Sequence, residues 1–242
     1  GLPEKLAPFI IGLAGYGNVS QGAQEMLSLL PITWIPPEDL SSLTDNRHQL
    51  YGCIFDEGHM VEPIGEPHSD FPKHYFQNPT FYRSIFERYL PYLSVLINGI
   101  YWDSRYPRLV SKKWAREMNG GRLEVVGDIS CDIDGAIEFT AQTTDPEQPV
   151  FVYDHNTDDI TFELDRDGIA VMAYDHLPSQ FPRESSEFFS SILYPFLPPI
   201  IEADWHKPLE SLALPESLEK AVIVHHGKLT HAYTYLKAFL EE

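Results

Sequence analysis

Short apolar runs alternate with amphipathic stretches along the first half of the chain. Phe9–Ala14 is a short apolar run and predicts a buried strand. After a glycine turn, the apolar residues of the segment 21–30 recur at helical spacing, and Ile32–Ile35 follows as a second strand. This order predicts the strand–turn–helix–strand unit from which parallel α/β sheets are built.

The same alternation continues to residue 128, apart from the segment 59–79. That segment is rich in Pro, His and acidic residues, and we interpret it as a long surface excursion. The further strands are predicted at Leu50–Phe55, 94–101 and 123–128, and the further helices at 81–89 and 111–118.

The middle of the chain changes character, because short strand-like pieces separated by Asp, Gly and Thr replace the helices. They predict a β-rich insertion over about 135–168. The predicted strands are 136–140, 149–153, 160–164 and 169–174, of which the last returns to the main sheet, and the predicted helices that follow are Pro182–Leu193, 216–219 and 229–240. We therefore expect an α/β fold, a doubly wound parallel sheet of Rossmann-like type with a β-rich insertion, as one domain over 1–242.

The turn after the first strand carries the candidate chemistry. Gly15 permits a tight turn, and Gly17 lets the backbone approach a pyrophosphate. The helix that follows offers unpaired N–H groups to the phosphates. Ser20 stands where the dinucleotide fingerprint has a third glycine or alanine, and it is small enough for close packing. The pattern favours NAD or NADP binding, with a purely structural turn as the alternative.

The end of the second strand leaves the choice of cofactor open. Glu38 and Asp39 follow it after two prolines, and an acid there bonds the ribose 2′-hydroxyl of NAD. Arg47 is the nearest basic residue that would accommodate the 2′-phosphate of NADP.

Composition excludes several classes of partner. The formal net charge of −19 disfavours nucleic acid and anionic membrane surfaces, and no apolar stretch reaches the roughly 18–20 residues that span a bilayer. Cys53 and Cys131 are interpreted as reduced thiols of an intracellular protein, with the cytoplasm and the mitochondrial matrix both open.

No metal site is expected. The acids at 128, 132 and 134 lack the spacing of a calcium loop. The neighbours His225 and His226 would point to opposite faces of a strand and so would not chelate one ion together.

Four segments carry a family resemblance, in this order along the chain: Gly15-Tyr-Gly-Asn-Val-Ser-Gln-Gly-Ala-Gln24, Leu96-Ile-Asn-Gly-Ile-Tyr-Trp102, Asp128-Ile-Ser-Cys-Asp132 and the segment 175–189, which contains Pro182-Arg-Glu-Ser-Ser-Glu187. Together they resemble the lysine–ketoglutarate reductase domain of the bifunctional aminoadipic semialdehyde synthases. They are also similar to the fungal saccharopine dehydrogenases. The resemblance covers nearly the whole chain.

The resemblance implies an oxidoreductase that reductively condenses L-lysine with 2-oxoglutarate to saccharopine, with NADP or NAD as cofactor. It also implies that the catalytic Lys and His of the family lie in an N-terminal substrate domain that has no counterpart in this chain, so we expect no catalytic residue here. The cofactor-binding positions that it implies are Gly15, Gly17, Asn18, Val19, Asn98, Gly99, Ile100, Asp128, Ile129 and Ser130. The alternatives are an NAD-dependent, lysine-forming saccharopine dehydrogenase and a non-enzymatic dinucleotide-binding domain.

Overall fold

The computed structural model of the protein describes residues 2–43, 48–117 and 121–240. The chain forms two compact units, residues 1–175 and 176–242. The first unit contains the main sheet, whereas the sequence predicted a single domain over the whole chain. That the second unit belongs to the same functional domain stays a prediction.

Over its described residues, the first unit contains an eight-stranded sheet and four short α-helices. Its helices are α1 (Asn18–Leu27), α2 (Glu57–Met60), α3 (Lys73–Gln77) and α4 (Lys112–Glu117). Its strands are β1 (Phe9–Ala14), β2 (Ile32–Ile35), β3 (Leu50–Phe55), β4 (Val61–Pro63), β5 (Tyr82–Ser84), β6 (Val95–Asn98), β7 (Val125–Asp128), β8 (Phe151–Asp154), β9 (Asp159–Thr161) and β10 (Ile169–Met172).

The strand order of the main sheet is β2-β3-β1-β6-β7-β10-β8-β9. In this order, neighbouring strands from β2 to β10 pair in parallel. The last two pairs, β10 with β8 and β8 with β9, are antiparallel. The expected β-rich segment therefore extends one edge of this sheet. The Rossmann-like α/β fold predicted from the sequence is confirmed.

The central strands are buried on both faces, which explains their nearly continuous apolar sequences. Ile10, Leu13 and Leu96 are each at most 1% exposed, as are Phe55 on β3 and Val126 on β7. β1 lies between β3 and β6, so it is the strand at which the chain switches direction across the sheet. Ligands of open α/β sheets bind at the carboxyl ends of the strands beside such a point.

Two predictions about the segment between β3 and β6 were wrong. The helix expected at 81–89 is instead strand β5 followed by 3-10 turns. Tyr82, Phe86 and Tyr89 are all buried, and this accounts for their helical spacing. Tyr82 nevertheless lies in a strand, because β5 pairs with β4 in a small antiparallel sheet. The expected surface excursion 59–79 also contributes Met60 and Tyr75 to the core.

The strand expected at 136–140 is also absent from the described structure. Thr140 closes a turn onto Ile137, and Ile137 itself makes an isolated parallel bridge to Val110. Ala136, Ile137 and Phe139 are nonetheless fully buried, so the apolar pattern reported burial and not strand pairing.

The second unit contains the helices α5 (Pro182–Leu193), α6 (Leu197–Glu202) and α7 (Glu216–Ala221) and the hairpin of β11 (Val224–His225) and β12 (Lys228–Leu229). The helix expected at 229–240 is a 3-10 helix over His231–Phe239. Of the described residues in this unit, Leu212 alone is buried, while Phe188, Phe189 and Ile201 are more than half exposed. Within the described part of the chain, no helix has the length and apolarity needed to cross a membrane.

Candidate functional site

The turn between β1 and α1 requires a glycine at its first position. Gly15 has a φ of +93°, and its N–H donates to the Phe55 carbonyl at 2.9 Å. A Cβ there would lie 3.2 Å from Cγ2 of Ile100. A side chain at this position would therefore meet both an unfavourable backbone conformation and a close neighbour.

Gly17 differs, because nothing in the protein itself requires its lack of a side chain. Its φ is −72°, which any residue adopts, and a Cβ there would have no atom within 4 Å. Gly17 is the N-cap of α1, where no side chain caps the first N–H groups. The helix therefore presents unpaired donors and its positive end to open space beside a glycine, an arrangement suited to a phosphate group.

The carboxyl ends of β6 and β7 meet in a buried polar network. Asn98 pairs with Asp128 in the sheet register, and its amide donates to Asp128 Oδ1 at 2.9 Å and to Ser130 Oγ at 3.3 Å. Ser130 donates to the same Oδ1 at 2.7 Å, and Thr140 donates to Oδ2 at 2.6 Å. Asp128 is fully buried, and each oxygen of its carboxylate accepts at least one of these hydrogen bonds, so the network holds the ends of β6 and β7 together.

Thr140 is the member of this network that the sequence analysis missed. It lies twelve residues after Asp128 in a segment that was expected to be a strand. No sequence motif marks it.

Gly99 lets the first turn of α1 approach the end of β6. A Cβ at Gly99 would lie 3.0 Å from Cγ1 of Val19, and the Gly99 N–H donates to the Ala14 carbonyl at 3.1 Å. Ile129, directly after β7, is held to the end of β6, because its N–H donates to the Asn98 carbonyl at 2.9 Å. Asn18 and Val19 are exposed in the first turn of α1.

A cavity of about 330 Å³ opens beside the glycine turn, and we refer to it as the first cavity. Among the residues that line it, Glu57 is the one acid, and no Lys, Arg or His is present. Burial is the main cause that raises the pKa of Tyr75, which lines this cavity, and the nearby Tyr106 and Glu57 raise it further. The full lining is Gly15, Tyr16, Gly17, Glu57, Met60, Tyr75, Phe76, Gly99, Ile100, Tyr101, Tyr106, Pro107 and Leu109.

A second cavity of about 530 Å³ lies on the β3 side of the turn. It is lined by Tyr16, Ile54, Asp56, Glu57, Gly58, Phe71 and Pro72. The structure thus brings the predicted residues Gly15, Gly17, Gly99 and Ile100 to the first cavity. It places Asn98 and Asp128 in the network at the strand ends.

The acid at the strand tip beside β1 is not the one that the sequence suggested. The sequence suggested Glu38 and Asp39 after β2, but β3 lies between β2 and β1 in the sheet. The tip of β3 carries Asp56 and Glu57. Asp56 caps α2 by accepting from the His59 N–H at 3.3 Å, and its Oδ1 also lies 2.6 Å from His59 Nδ1. Asp39 follows Glu38 in the 3-10 turn after β2, and Arg47 lies outside the described residues.

The neighbouring histidines do not point to opposite faces as expected. The rings of His225 and His226 stack with their centroids 4.0 Å apart, because His226 leaves the strand with a φ of +50° in the hairpin turn. Their Nε2 atoms lie 2.9 Å from the carbonyl oxygens of Lys207 and Trp205. Over the described residues, no group of three or more His, Cys, Asp or Glu is arranged to hold a metal ion.

A family model described as the alanine dehydrogenase/PNT C-terminal domain matches residues 83–232. The chain belongs to this family. An L-alanine dehydrogenase structure shares its fold with a TM-score of 0.54 at 18% identity, over 96% of this chain and 53% of the other.

Relatives confirm the narrower resemblance carried by the four segments. The chain is 36% identical to the alpha-aminoadipic semialdehyde synthase of Arabidopsis thaliana, over 98% of this chain and 23% of that protein. It is 32% identical to the mitochondrial enzyme of that name from Bos taurus, over 99% of this chain and 28% of that protein. It is also 31% identical to the saccharopine dehydrogenase [NAD(+), L-lysine-forming] of Emericella nidulans, over 57% of this chain and 36% of that protein. The chain thus spans about a quarter of the synthases that it matches.

Proposed function

We propose that this chain is the nicotinamide-dinucleotide-binding part of an oxidoreductase that condenses L-lysine with 2-oxoglutarate to saccharopine. The observation that carries the proposal is the glycine turn. Gly17 stands in open space at the uncapped start of α1, beside the first cavity and at the switch point of the sheet. The similarity to the synthases supports the choice of reaction.

The residues of this chain fit a dinucleotide along the carboxyl edge of the sheet. Gly15, Gly17 and the first N–H groups of α1, at Asn18 and Val19, would hold the pyrophosphate. The acids at the tip of β3, the strand next to β1, would bond a ribose hydroxyl. The ends of β6 and β7, with Gly99, Ile100, Ile129 and Ser130, would border the nicotinamide side.

A nicotinamide dinucleotide held by these residues would supply the hydride for reduction of the imine formed between the lysine ε-amine and the keto group of 2-oxoglutarate. The contribution of this chain is to bind and orient. The Asn98–Asp128–Thr140 network fixes the strand ends without offering a free charge, because each oxygen of the Asp128 carboxylate accepts at least one hydrogen bond.

A further domain would supply the catalytic Lys and His and the substrate pocket. The synthases extend well beyond the region that this chain matches. The exposed apolar side chains of α5, Phe188, Phe189 and Ile192, would pack against that domain, because an isolated unit seldom leaves so much apolar surface uncovered.

A second candidate is the NAD-dependent, lysine-forming saccharopine dehydrogenase. The similarity to the Emericella nidulans enzyme favours it, and so does the acidic tip of β3, since a carboxylate repels a 2′-phosphate. Cofactor preference distinguishes the two candidates.

Calorimetric titration of the purified chain with NADPH and with NADH tests the proposal. We expect saturable binding of at least one of them. A preference for NADPH supports the reductase and a preference for NADH the lysine-forming enzyme. Absence of binding to either, in a chain shown to be folded by circular dichroism, would contradict a dinucleotide site in this chain.

Activity is tested by adding a separately expressed N-terminal domain of a synthase. Oxidation of the reduced cofactor in the presence of lysine and 2-oxoglutarate is expected only when both parts are present. A complex that binds cofactor but never turns over would favour a non-enzymatic dinucleotide-binding domain.

A further inference from the structure

Aromatic side chains supply much of the lining of the first cavity. They are Tyr16, Tyr75, Phe76, Tyr101 and Tyr106. The Tyr106 ring stands at 86° to that of Tyr75 and at 88° to that of Tyr101, with centroids 5.4 and 5.9 Å apart. Rings at right angles present their π faces in more than one direction, so a group placed among them can meet more than one ring.

The cluster combines rings that are held in place with ring surface that a ligand can reach. Tyr75 is buried, and the Tyr106 hydroxyl donates to the Phe76 carbonyl at 3.3 Å. The side chain of Phe76 is nevertheless about half exposed, and Tyr101 is 73% exposed. The protein therefore leaves aromatic surface uncovered beside the glycine turn.

The charge around these rings favours a cation. Glu57 is the one charged residue among the described residues that line the cavity. Arg105 lies beside Tyr106, with Cζ 5.9 Å from the ring centroid, but it is paired with Asp103 through two hydrogen bonds of 3.0 and 2.7 Å. The chain as a whole carries a formal net charge of −19. A carboxylate beside π faces repels anions and attracts an organic cation.

We propose that the first cavity binds an organic ammonium group, and that in the proposed reaction this group is the ε-ammonium of lysine. The naming of lysine rests on the function proposed above. Gly99 and Ile100 line the cavity and also border the nicotinamide side of the proposed dinucleotide site. The nitrogen of lysine would thus lie beside the ring that delivers the hydride, while the further domain would hold the α-amino and α-carboxylate groups.

The same position couples the ammonium to the dinucleotide. Gly17 lines the cavity, so a pyrophosphate held at the start of α1 would add negative charge next to it. Glu57 can serve both ligands, because it lines both cavities and a carboxylate accepts hydrogen bonds at two oxygens. Lysine and dinucleotide should therefore each tighten the binding of the other, by the same factor.

An NMR titration of the whole chain with L-lysine labelled with ¹³C at the ε-carbon tests the proposal and tolerates weak binding. The ε-methylene proton signal should move upfield, because protons held over an aromatic face are shielded by the ring current. L-Norleucine, which has the same carbon chain without the ammonium, should bind more weakly. Saturating the chain with the reduced dinucleotide that it binds more tightly should lower the Kd for lysine.

Substitutions separate the contributions of ring and charge. Tyr101→Leu should raise the Kd for lysine by roughly two- to fivefold, whereas Tyr101→Phe, which keeps the ring, should leave it unchanged. Glu57→Gln should raise it by roughly two- to fivefold as well. Tyr235→Leu is the matched control, because Tyr235 is also well exposed but does not line the cavity. It should not change the Kd.

The outcomes distinguish this proposal from the one on which it rests. Equal binding of norleucine and lysine, or a Tyr101→Leu variant with the wild-type Kd and shift, would overturn the ammonium site, and so would binding of lysine and dinucleotide without coupling. If lysine binds with the expected changes but no dinucleotide binds, the ammonium site stands and the proposed function fails. If dinucleotide binds and lysine does not, the reverse holds. Thermal unfolding shows whether each variant is folded.

Discussion

The replacement of Gly17 by valine distinguishes a ligand-binding glycine from a structural one. The backbone at Gly17 is at a φ of −72°, and a Cβ there meets no protein atom within 4 Å. The fold therefore has room for the new side chain. Any large loss of binding must come from the space that the side chain takes from a ligand.

The expected magnitude follows from the contacts that a phosphate would lose. Hydrogen bonds from backbone N–H groups to a charged oxygen contribute about 1.5–3 kcal/mol each, so the loss of one raises Kd by roughly 10- to 150-fold. The cost to folding is smaller. Valine is a poorer N-cap than glycine, and we expect a loss of about 1 kcal/mol, or a Tm lower by roughly 2–4 °C.

Gly22 supplies the matched control on the same helix. It is exposed, and a Cβ there also has no atom within 4 Å. Gly22→Val adds the same side chain to α1 away from its N-terminus, so Kd should stay at the wild-type value. Gly15→Ala should instead lower both Tm and affinity, because of its φ of +93° and the nearness of Ile100.

The assay is calorimetric titration with NADH and NADPH, together with thermal unfolding of each variant. Wild-type affinity in Gly17→Val would refute the reasoning and leave the glycine turn with a structural role only. Unfolding of Gly17→Val at room temperature would refute the claim that the fold tolerates a side chain there.

Further predictions concern Thr140 in the buried network, Glu57 at the tip of β3 and the thiol of Cys131. Thr140→Val should lower stability by about 1–3 kcal/mol in thermal unfolding, because it removes a buried donor to Asp128, and Thr140→Ser should restore it. Glu57→Gln should raise the affinity for NADPH relative to NADH several-fold in titrations, because it removes a negative charge beside the ribose position. Burial raises the pKa of Cys131 to about 11. Its thiolate fraction, and hence its rate of alkylation, should therefore rise about tenfold per pH unit between pH 8 and pH 10.

The elements that the sequence predicted well are those bounded by chain-breaking residues. β1 and β2 have the predicted limits, because Gly15 ends the first apolar run and Pro31 and Pro36 bound the second. α5 begins at Pro182, a residue that favours the first turn of a helix. Local chemistry fixes such boundaries without reference to the rest of the fold.

The misjudged elements are those in which burial alone produced a periodic pattern. The helical spacing of Tyr82, Phe86 and Tyr89 reports burial and not a helix. The apolar run 136–140 reports burial and not a strand. An apolar residue carries no information on the surface that will cover it, so these outcomes depend on tertiary contacts.

The order of strands was beyond the reach of the sequence, and it changes the chemistry of the site. Periodicity identifies strands but not their neighbours, so it could not show that β3 lies between β2 and β1. The two strand tips nevertheless converge, because Glu38 after β2 lies 3.2 Å from His59 Nε2 while Asp56 after β3 lies beside His59 Nδ1. His59 thus links the acid that the sequence suggested to the acid that the topology requires. Both Glu38 and Asp56 are engaged by His59, whereas Glu57 lines both cavities. A change of one charge should therefore alter cofactor preference most at Glu57.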